Sequence, residues 1–259
     1  MANFLKNIFI KNSKLNVDQL IVKKTVISFF FFFVFAGAAF WGWKWLRHQS
    51  NSAEGARKPL RTALNINESI FSKILSDKHL TKEYDRSQAA QRVRVNGKLG
   101  LRSNLDTAAW NMYVVKTNGD TIKIKVGDLQ RLPKTEVVFN FKCIEGWNQI
   151  TYWGGVRFSD FIKAFGLEKE SALKYVGLST PDKEYYVGID MASAMHPQTI
   201  LCYEMNGQPL PLDQGYPLRL IIPVKYGIKH LKRIGTLFFD NSRPPDYWYE
   251  RGYDYFSGL

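Results

Sequence analysis

Cysteine is scarce in this chain. There are two in 259 residues, Cys143 and Cys202, 59 positions apart. That excludes a disulfide framework, and no ligands cluster at the short spacing of a structural zinc site. Acidic residues are also few, 23 against 36 Lys and Arg, for a formal net charge of +13. There is no internal repeat and no low-complexity tract beyond a run of five phenylalanines. No nucleic-acid motif accompanies the basic residues, so a nucleic-acid partner is not expected. A composition 45% hydrophobic and 23% charged excludes a disordered chain.

The positive excess is unevenly placed. Residues 1–58 carry nine Lys and Arg against only Asp18 and Glu54, so about half the excess flanks one apolar segment. That segment, between Lys24 and Lys44, has nineteen residues and no charge. As a helix it spans about 28 Å, close to the hydrocarbon thickness of a bilayer. Trp41, Trp43 and Trp45, with Lys44 and Arg47, form an interfacial belt at one end. A cleaved signal peptide is the rival reading, with Ala36-Gly37-Ala38 as its cleavage site. The apolar character continues past that site into the tryptophans, which favours an anchor.

The expected organisation is a cytoplasmic basic tail over 1–24, a transmembrane anchor over 25–46, a linker over 47–60 and a folded domain over 61–259. Five lysines (Lys6, Lys11, Lys14, Lys23, Lys24) precede the span. Lys44, Arg47, Arg57, Lys58 and Arg61 follow it, so the counts nearly balance. The short leading tail favours an inside N-terminus and a domain on the outer side.

Beyond the linker, helical spacing predicts helices over 60–76, Val156–Gly166 and Met191–Met195, the last interrupted at His196-Pro197. Strand-like runs are Gln91–Val95 (ended by the turn signal Asn96-Gly97), Trp110–Lys116, Thr121–Val126, Glu136–Cys143, Tyr175–Leu178, Tyr185–Ile189, Leu218–Pro223 and Leu237–Asp240. Strands and helices mix without regular βαβ alternation, which predicts an α+β domain with a mixed sheet.

Two segments carry chemistry. Cys143 ends the apolar strand Val137–Lys142 and begins the turn Ile144-Glu145-Gly146-Trp147. Lys142 and turn amides favour a thiolate there, the form that ligates soft metals, whereas a lone cysteine is otherwise a buried structural residue. From Arg219 to Lys232, a strand runs into a glycine-containing loop with Lys225, Lys229, His230 and Lys232. Such a loop either holds a phosphate through side chains and amides or is a solvated basic surface. Cys202, in Ile200-Leu201-Cys202-Tyr203, reads as core.

The motifs Val95-Asn96-Gly97, Cys143–Trp147, Trp153-Gly154-Gly155-Val156, Ala194-Met195-His196-Pro197, Tyr203–Pro211 and Arg219–Lys232 follow one another in order. With them, the stretch from about Arg92 to Phe239 resembles the molybdopterin-binding domain of the sulfite oxidase family. It is nearest to the branch that contains the catalytic subunit of periplasmic protein-methionine-sulfoxide reductase. The resemblance implies a molybdenum-molybdopterin cofactor, with Cys143 as the protein's sulfur ligand to molybdenum. It implies that Arg219, Lys229, His230, Leu231 and Lys232 hold the pterin and its phosphate, with Thr180 and Gln214 as further contacts. Gln214 stands where relatives often have asparagine. His196 is either a cofactor contact or a residue fixing local backbone. Glu145 would handle protons near the metal, or else pair with Lys142. Trp147 and Trp153 would wall the cleft.

There are departures from the family. Ile144-Glu145-Gly146-Trp147 lacks the arginine of the Ala-Gly-Asn-Arg-like turn in classical sulfite oxidases, which argues against sulfite as substrate. Asn67-Glu68-Ser69-Ile70-Phe71 is the nearest counterpart of an Asn-Phe-Tyr-Glu-Phe-like segment, making Asn67 a candidate cofactor contact. No haem domain is present, and the residues after Tyr255 leave no room for a C-terminal dimerisation domain, so family-type dimerisation is not expected. No twin-arginine pair precedes the span. The expected activity is two-electron oxygen-atom transfer reducing a sulfoxide or N-oxide, on a small molecule or a protein. Electrons would come from a b-type cytochrome or a quinol-linked partner, and lipid would surround the anchor. Alternatives are oxidation of a small anion such as sulfite at the same site, and an anchored binding domain that keeps the scaffold without the metal.

Overall fold

The structure, a computed structural model, describes residues 15–75, 78–95, 97–102 and 106–258. Asn96, much of the expected basic tail and the end of the helix expected over 60–76 lie outside them. The chain forms two compact units, residues 1–51 with 57–59, and residues 52–56 with 60–259.

The first unit is built on helix α1 (Val17–His48). Asn16 and Gln19 close a capping box at its start, and Asp18 sits in its first turn, so the helix begins well before the apolar run. It is therefore longer at both ends than the expected 25–46. None of its residues is buried, and it is long and apolar enough to cross a membrane.

In the second unit, helix α2 (Lys58–Ile74) is followed by strands β1 (Met112–Val115) and β2 (Thr121–Ile124). Next come α3 (Val126–Gln130), β3 (Lys134–Lys142), β4 (Asn148–Arg157), α4 (Phe158–Ala164) and α5 (Glu168–Ser171). The remainder is β5 (Tyr175–Ser179), β6 (Tyr186–Asp190), α6 (Met191–Ala194), β7 (Ile200–Met205), β8 (Gln208–Pro209), β9 (Arg219–Ile221) and β10 (Thr236–Asp240). One sheet has the order β2-β1-β10-β5-β6, and its β1–β10 pair alone is parallel. The other runs β3-β4-β7-β8, with β9 also on β7, and is antiparallel. The expected mixed α+β architecture is what forms.

The larger apolar core lies between the two sheets, which share it through Val156, Leu201 and Leu220, and a smaller one packs on the second sheet. Met112, Val114, Ile124, Leu178, Val187 and Leu237 pack with Phe158 and Phe161 of α4. In β3 the period-2 side chains Val137, Phe139 and Phe141 bury against Trp153, Ile200, Cys202 and Ile221. Cys202 is fully buried, its thiol donating to the Glu204 carbonyl at 3.1 Å, and burial pushes its pKa up to about 12.

Two local expectations change, and one strand was not expected. Gln91–Val95 is no strand, because side chains take its backbone groups. Gln149 Nε2 donates to Arg92 O, Gln214 Nε2 donates to Val93 O, and Asn206 Nδ2 donates to Gln91 O. The expected helix over Val156–Gly166 begins only at Phe158, because Val156 and Arg157 complete β4 in register with Leu201 and Ile200. Strand β4 itself has little strand signature in sequence, with Gly154 and Gly155 in its interior. Those glycines carry a bulge against β7, and a Cβ on Gly155 would lie 2.7 Å from Cys202 Cα. Gly155→Ala is therefore expected to cost about 2 kcal/mol through overpacking. A thermal melt in detergent should show a Tm lower by roughly 5 °C.

Candidate active site

The β3–β4 hairpin positions Cys143. Its backbone N–H donates to Trp147 O at 2.9 Å, and Gly146 N–H donates to Cys143 O at 3.0 Å. The turn needs Gly146 at φ +91°, a region that side chains avoid. Cys143 thus sits buried at the end of the strand and on the wall of a cavity of about 180 Å3. Phe141, Ile144 and Glu145 come from the same hairpin. Arg219 comes from β9, and Gly227, Ile228, His230 and Lys232 come from the loop beyond it. That loop folds back on its own strand, with Leu220 N–H donating to Leu231 O at 2.9 Å.

The cations of the loop divide into two pairs. Lys225 pairs with Asp190 at 2.8 Å and Lys229 with Asp246 at 2.5 Å, both lysines buried. Burial lowers Lys225 to about 8. These two pairs pin the loop, and the Lys229 ammonium does not line the cavity. Arg219 and Lys232 do. Arg219 donates from one terminal nitrogen to Gln214 O and Gln214 Oε1, each at 3.0 Å, and stacks over Trp153 at 4.6 Å. It has no carboxylate partner among the described residues, and its buried Nε has no hydrogen-bond partner. Burial lowers its pKa to about 10. Lys232 donates to Gly97 O and Asp213 O, both at 3.2 Å, and burial together with Arg219 lowers it to about 7. A buried guanidinium with an unused Nε against a cavity is costly without an anion, and Lys232 stands on the same wall. The donor set therefore fits a ligand that brings a phosphate.

His230 also lines the cavity, but not as a charge. Burial, then Arg219, pushes its pKa down to about 3. Its Nδ1 accepts from Ile222 N–H at 3.4 Å and its Nε2 donates to Lys225 O at 3.1 Å, so the neutral ring fastens the loop. Glu145 accepts from Trp147 Nε1 at 3.0 Å, and no Glu145–Lys142 ion pair occurs among the described residues.

Other expected residues lie elsewhere. Gln214 stands behind Arg219 and holds it, facing a side pocket shared with Phe141, Trp153 and Lys232. Thr180 is fully buried in the β5–β6 turn, donating to Asp182 Oδ1 at 2.6 Å and accepting from Tyr185 N–H at 3.2 Å. Leu231 is core. His196 accepts from Gln198 N–H at 3.3 Å and contacts His79 O at 3.3 Å, fixing local backbone. Asn67 is exposed on α2. None of these five lines the cavity.

Sequence reading missed Tyr185, Trp248 and Tyr253, which complete the wall. Tyr185 donates to Ile228 O at 2.5 Å, and burial pushes its pKa up, keeping it protonated. Trp248 and Tyr253 pack edge to face at 5.0 Å. The signal for Trp248 and Tyr253 was the aromatic density of residues 247–256, and Tyr185 gave none.

Lys232 makes a pH test available. An anion favours the ammonium form, so affinity is full below about 7 and declines as pH rises through it. For sulfate and cofactor-free protein, calorimetry should show binding weakening by up to about tenfold per pH unit above 7, with proton uptake. Lys232→Met should flatten the profile.

A family model described as oxidoreductase molybdopterin binding domain matches residues 99–248. Among curated proteins, YedZ1 of Azospira oryzae, named as a protein-methionine-sulfoxide reductase subunit, is 39% identical over 154 residues, covering 60% of this chain and 58% of its own length. MsrP of Xanthomonas axonopodis pv. citri, a protein-methionine-sulfoxide reductase catalytic subunit, is 32% identical over 168 residues, 57% of this chain and 52% of its own. The mitochondrial sulfite oxidase of Rattus norvegicus is 30% identical over 181 residues, 60% of this chain and 33% of its own. The chain thus spans 33% to 58% of the length of these relatives. A solved structure, the sulfane dehydrogenase SoxCD of Paracoccus pantotrophus, aligns with a TM-score of 0.48 at 18% identity over 54% of this chain and 40% of that one. The match over 99–248 takes in the Cys143 hairpin, Arg219 and Lys232, and this chain belongs to the oxidoreductase molybdopterin-binding domain family, enzymes of the sulfite oxidase type that use a molybdenum-molybdopterin cofactor.

Proposed function

We propose that the chain is a membrane-anchored reductase of sulfoxide or N-oxide substrates, with Cys143 as the sulfur ligand to molybdenum. The bound molybdenum-pterin group supplies two-electron oxygen-atom transfer. Arg219 and Lys232 hold its phosphate, and Gln214, His230 and the pinned loop keep them in place. The observation that carries the substrate class is the rest of the wall around Cys143: Ile144, Ile228, Trp248, Tyr253 and the carboxylate of Glu145. An apolar, aromatic surface with one carboxylate favours a neutral substrate and repels a small dianion. Glu145, oriented by the Trp147 indole, would relay the protons that substrate reduction consumes, taking each from solvent before passing it on. Two relatives are named for methionine-sulfoxide reduction, which agrees with this choice.

Residues 25–46 of α1 anchor the chain, residues 1–24 face the cytoplasm, and the domain from 61 onward works in the periplasm. Electrons reach it from a b-type cytochrome or a quinol-linked membrane protein.

The test uses full-length protein from a host that makes the cofactor. Reduced viologen should be oxidised with methionine sulfoxide or trimethylamine N-oxide, about tenfold or more faster than ferricyanide is reduced with sulfite. The reverse preference would assign the site to anion oxidation, which the cations Arg219 and Lys232 favour. Absence of molybdenum from protein made in that host would leave an anchored binding domain.

A further inference from the structure

Helix α2 is mounted with its polar side inward. At 100° per residue, Arg61, Leu64, Glu68 and Leu75 fall on one side, while Ile66, Ile70 and Ile74 fall nearly opposite. Arg61 and Glu68 are buried. Arg61 donates to Tyr253 O at 2.8 Å, to Tyr249 O and Glu54 O at 2.9 Å each, and stacks on the Tyr249 ring at 4.0 Å. Glu68 pairs with Arg243 at 2.7 Å. The isoleucines, by contrast, are 55%, 50% and 54% exposed. An amphipathic helix on a water-surrounded domain turns its apolar stripe to the core, and this one does the reverse. Leu60 and Phe71 widen the exposed stripe, and Lys73 borders it.

Two further facts identify what covers it. Only residues 49–57 separate α2 from α1, a tether of about 35 Å at full extension. The end of α1 that leads into this tether carries Trp41, Trp43, Trp45, Lys44 and Arg47, the composition of a membrane interface. Arg57, Lys58, Lys73, Lys78 and Lys82 add positive charge around α2, matching anionic headgroups.

We propose that α2 is a second membrane contact. Its Ile66-Ile70-Ile74 face lies in the headgroup region of the anionic leaflet from which the anchor emerges, at about 5–10 Å depth. Arg61 and Glu68 fasten this contact to the catalytic unit. Because Arg61 binds the backbone of Tyr253, whose side chain lines the active-site cavity, the contact sets how the cavity mouth faces the bilayer. The inference rests on α1 as the anchor and is independent of the substrate.

The test labels the full chain with bimane at Ile66→Cys, Ile70→Cys, Ile74→Cys or the exposed control Asn118→Cys, Cys143 and Cys202 being buried. Each protein is reconstituted into phosphatidylcholine–phosphatidylglycerol vesicles with or without brominated acyl chains, and floated. The expected result is co-flotation, with brominated lipid dimming the three helix labels about twofold or more and leaving Asn118→Cys unchanged. Co-flotation with unquenched helix labels overturns the α2 contact and spares the anchor. Labels shielded from aqueous iodide but indifferent to brominated lipid show that protein covers the face, which also overturns it. A chain that does not float sinks anchor and contact together.

Discussion

Cys143→Ser is expected to abolish turnover while leaving the domain folded. The hairpin around Cys143 is held by its backbone N–H and C=O and by the left-handed Gly146, so the side chain is not what shapes the turn. Serine is nearly isosteric and, though buried, faces a cavity rather than packed core. What it lacks is a soft, ionisable sulfur, which a hydroxyl does not replace for a metal already among sulfur donors. Activity should therefore fall by about three orders of magnitude or more, ~4 kcal/mol in the barrier. The Tm of cofactor-free protein should stay within about 2 °C of wild type. Molybdenum per chain, measured on the same preparations, should fall with activity. A serine variant that kept full turnover would end the ligation reading, whatever its metal content.

Arg219→Met is the second large effect, and its value lies in moving two readouts in different ways. The guanidinium is buried without a carboxylate partner among the described residues, so the cofactor-free fold bears its desolvation. Methionine removes that cost and keeps most of the packing over Trp153, but leaves Gln214 Oε1 without its donor. Those terms oppose each other, and the stability change should not exceed about 2 kcal/mol. Cofactor retention has no such offset under the proposed role of Arg219, because its charge-assisted contact to the phosphate would be lost outright. Loading should drop by about a hundredfold, read as molybdenum and pterin per chain after gel filtration. A variant that unfolds yet stays loaded would make Arg219 a structural residue.

Several features were legible in sequence because they depend only on local pattern. The alternating Val137-Phe139-Phe141 run marks β3, and a cysteine at its end, followed by a glycine turn, marks the one place where sulfur meets the cavity. The nineteen uncharged residues mark α1, although its capping box at Asn16 carries the helix back to Val17. The Arg219–Lys232 cluster was legible as a unit, but not the division of labour within it. Lys229 is spent on Asp246, 17 residues further along the chain, and Lys232 reaches the cavity instead. Strand β4 was illegible because its glycines make sense only against the β7 backbone they must approach.

Sequence alone determined the chemistry on offer: one thiol at a strand end, a compact set of cations, and an apolar helix ahead of an α+β domain. These follow from residue type and short-range periodicity, which act within a few positions along the chain. Tertiary structure alone decided which groups share a cavity, since Tyr185, Arg219 and Trp248 approach Cys143 from segments 40 to 105 positions away. It also decided which way α2 faces. Its amphipathic pattern is plain in the sequence, but Arg61 and Glu68 find their partners in Tyr249, Tyr253 and Arg243 near the far end of the chain, and burying those polar contacts turned the isoleucines outward.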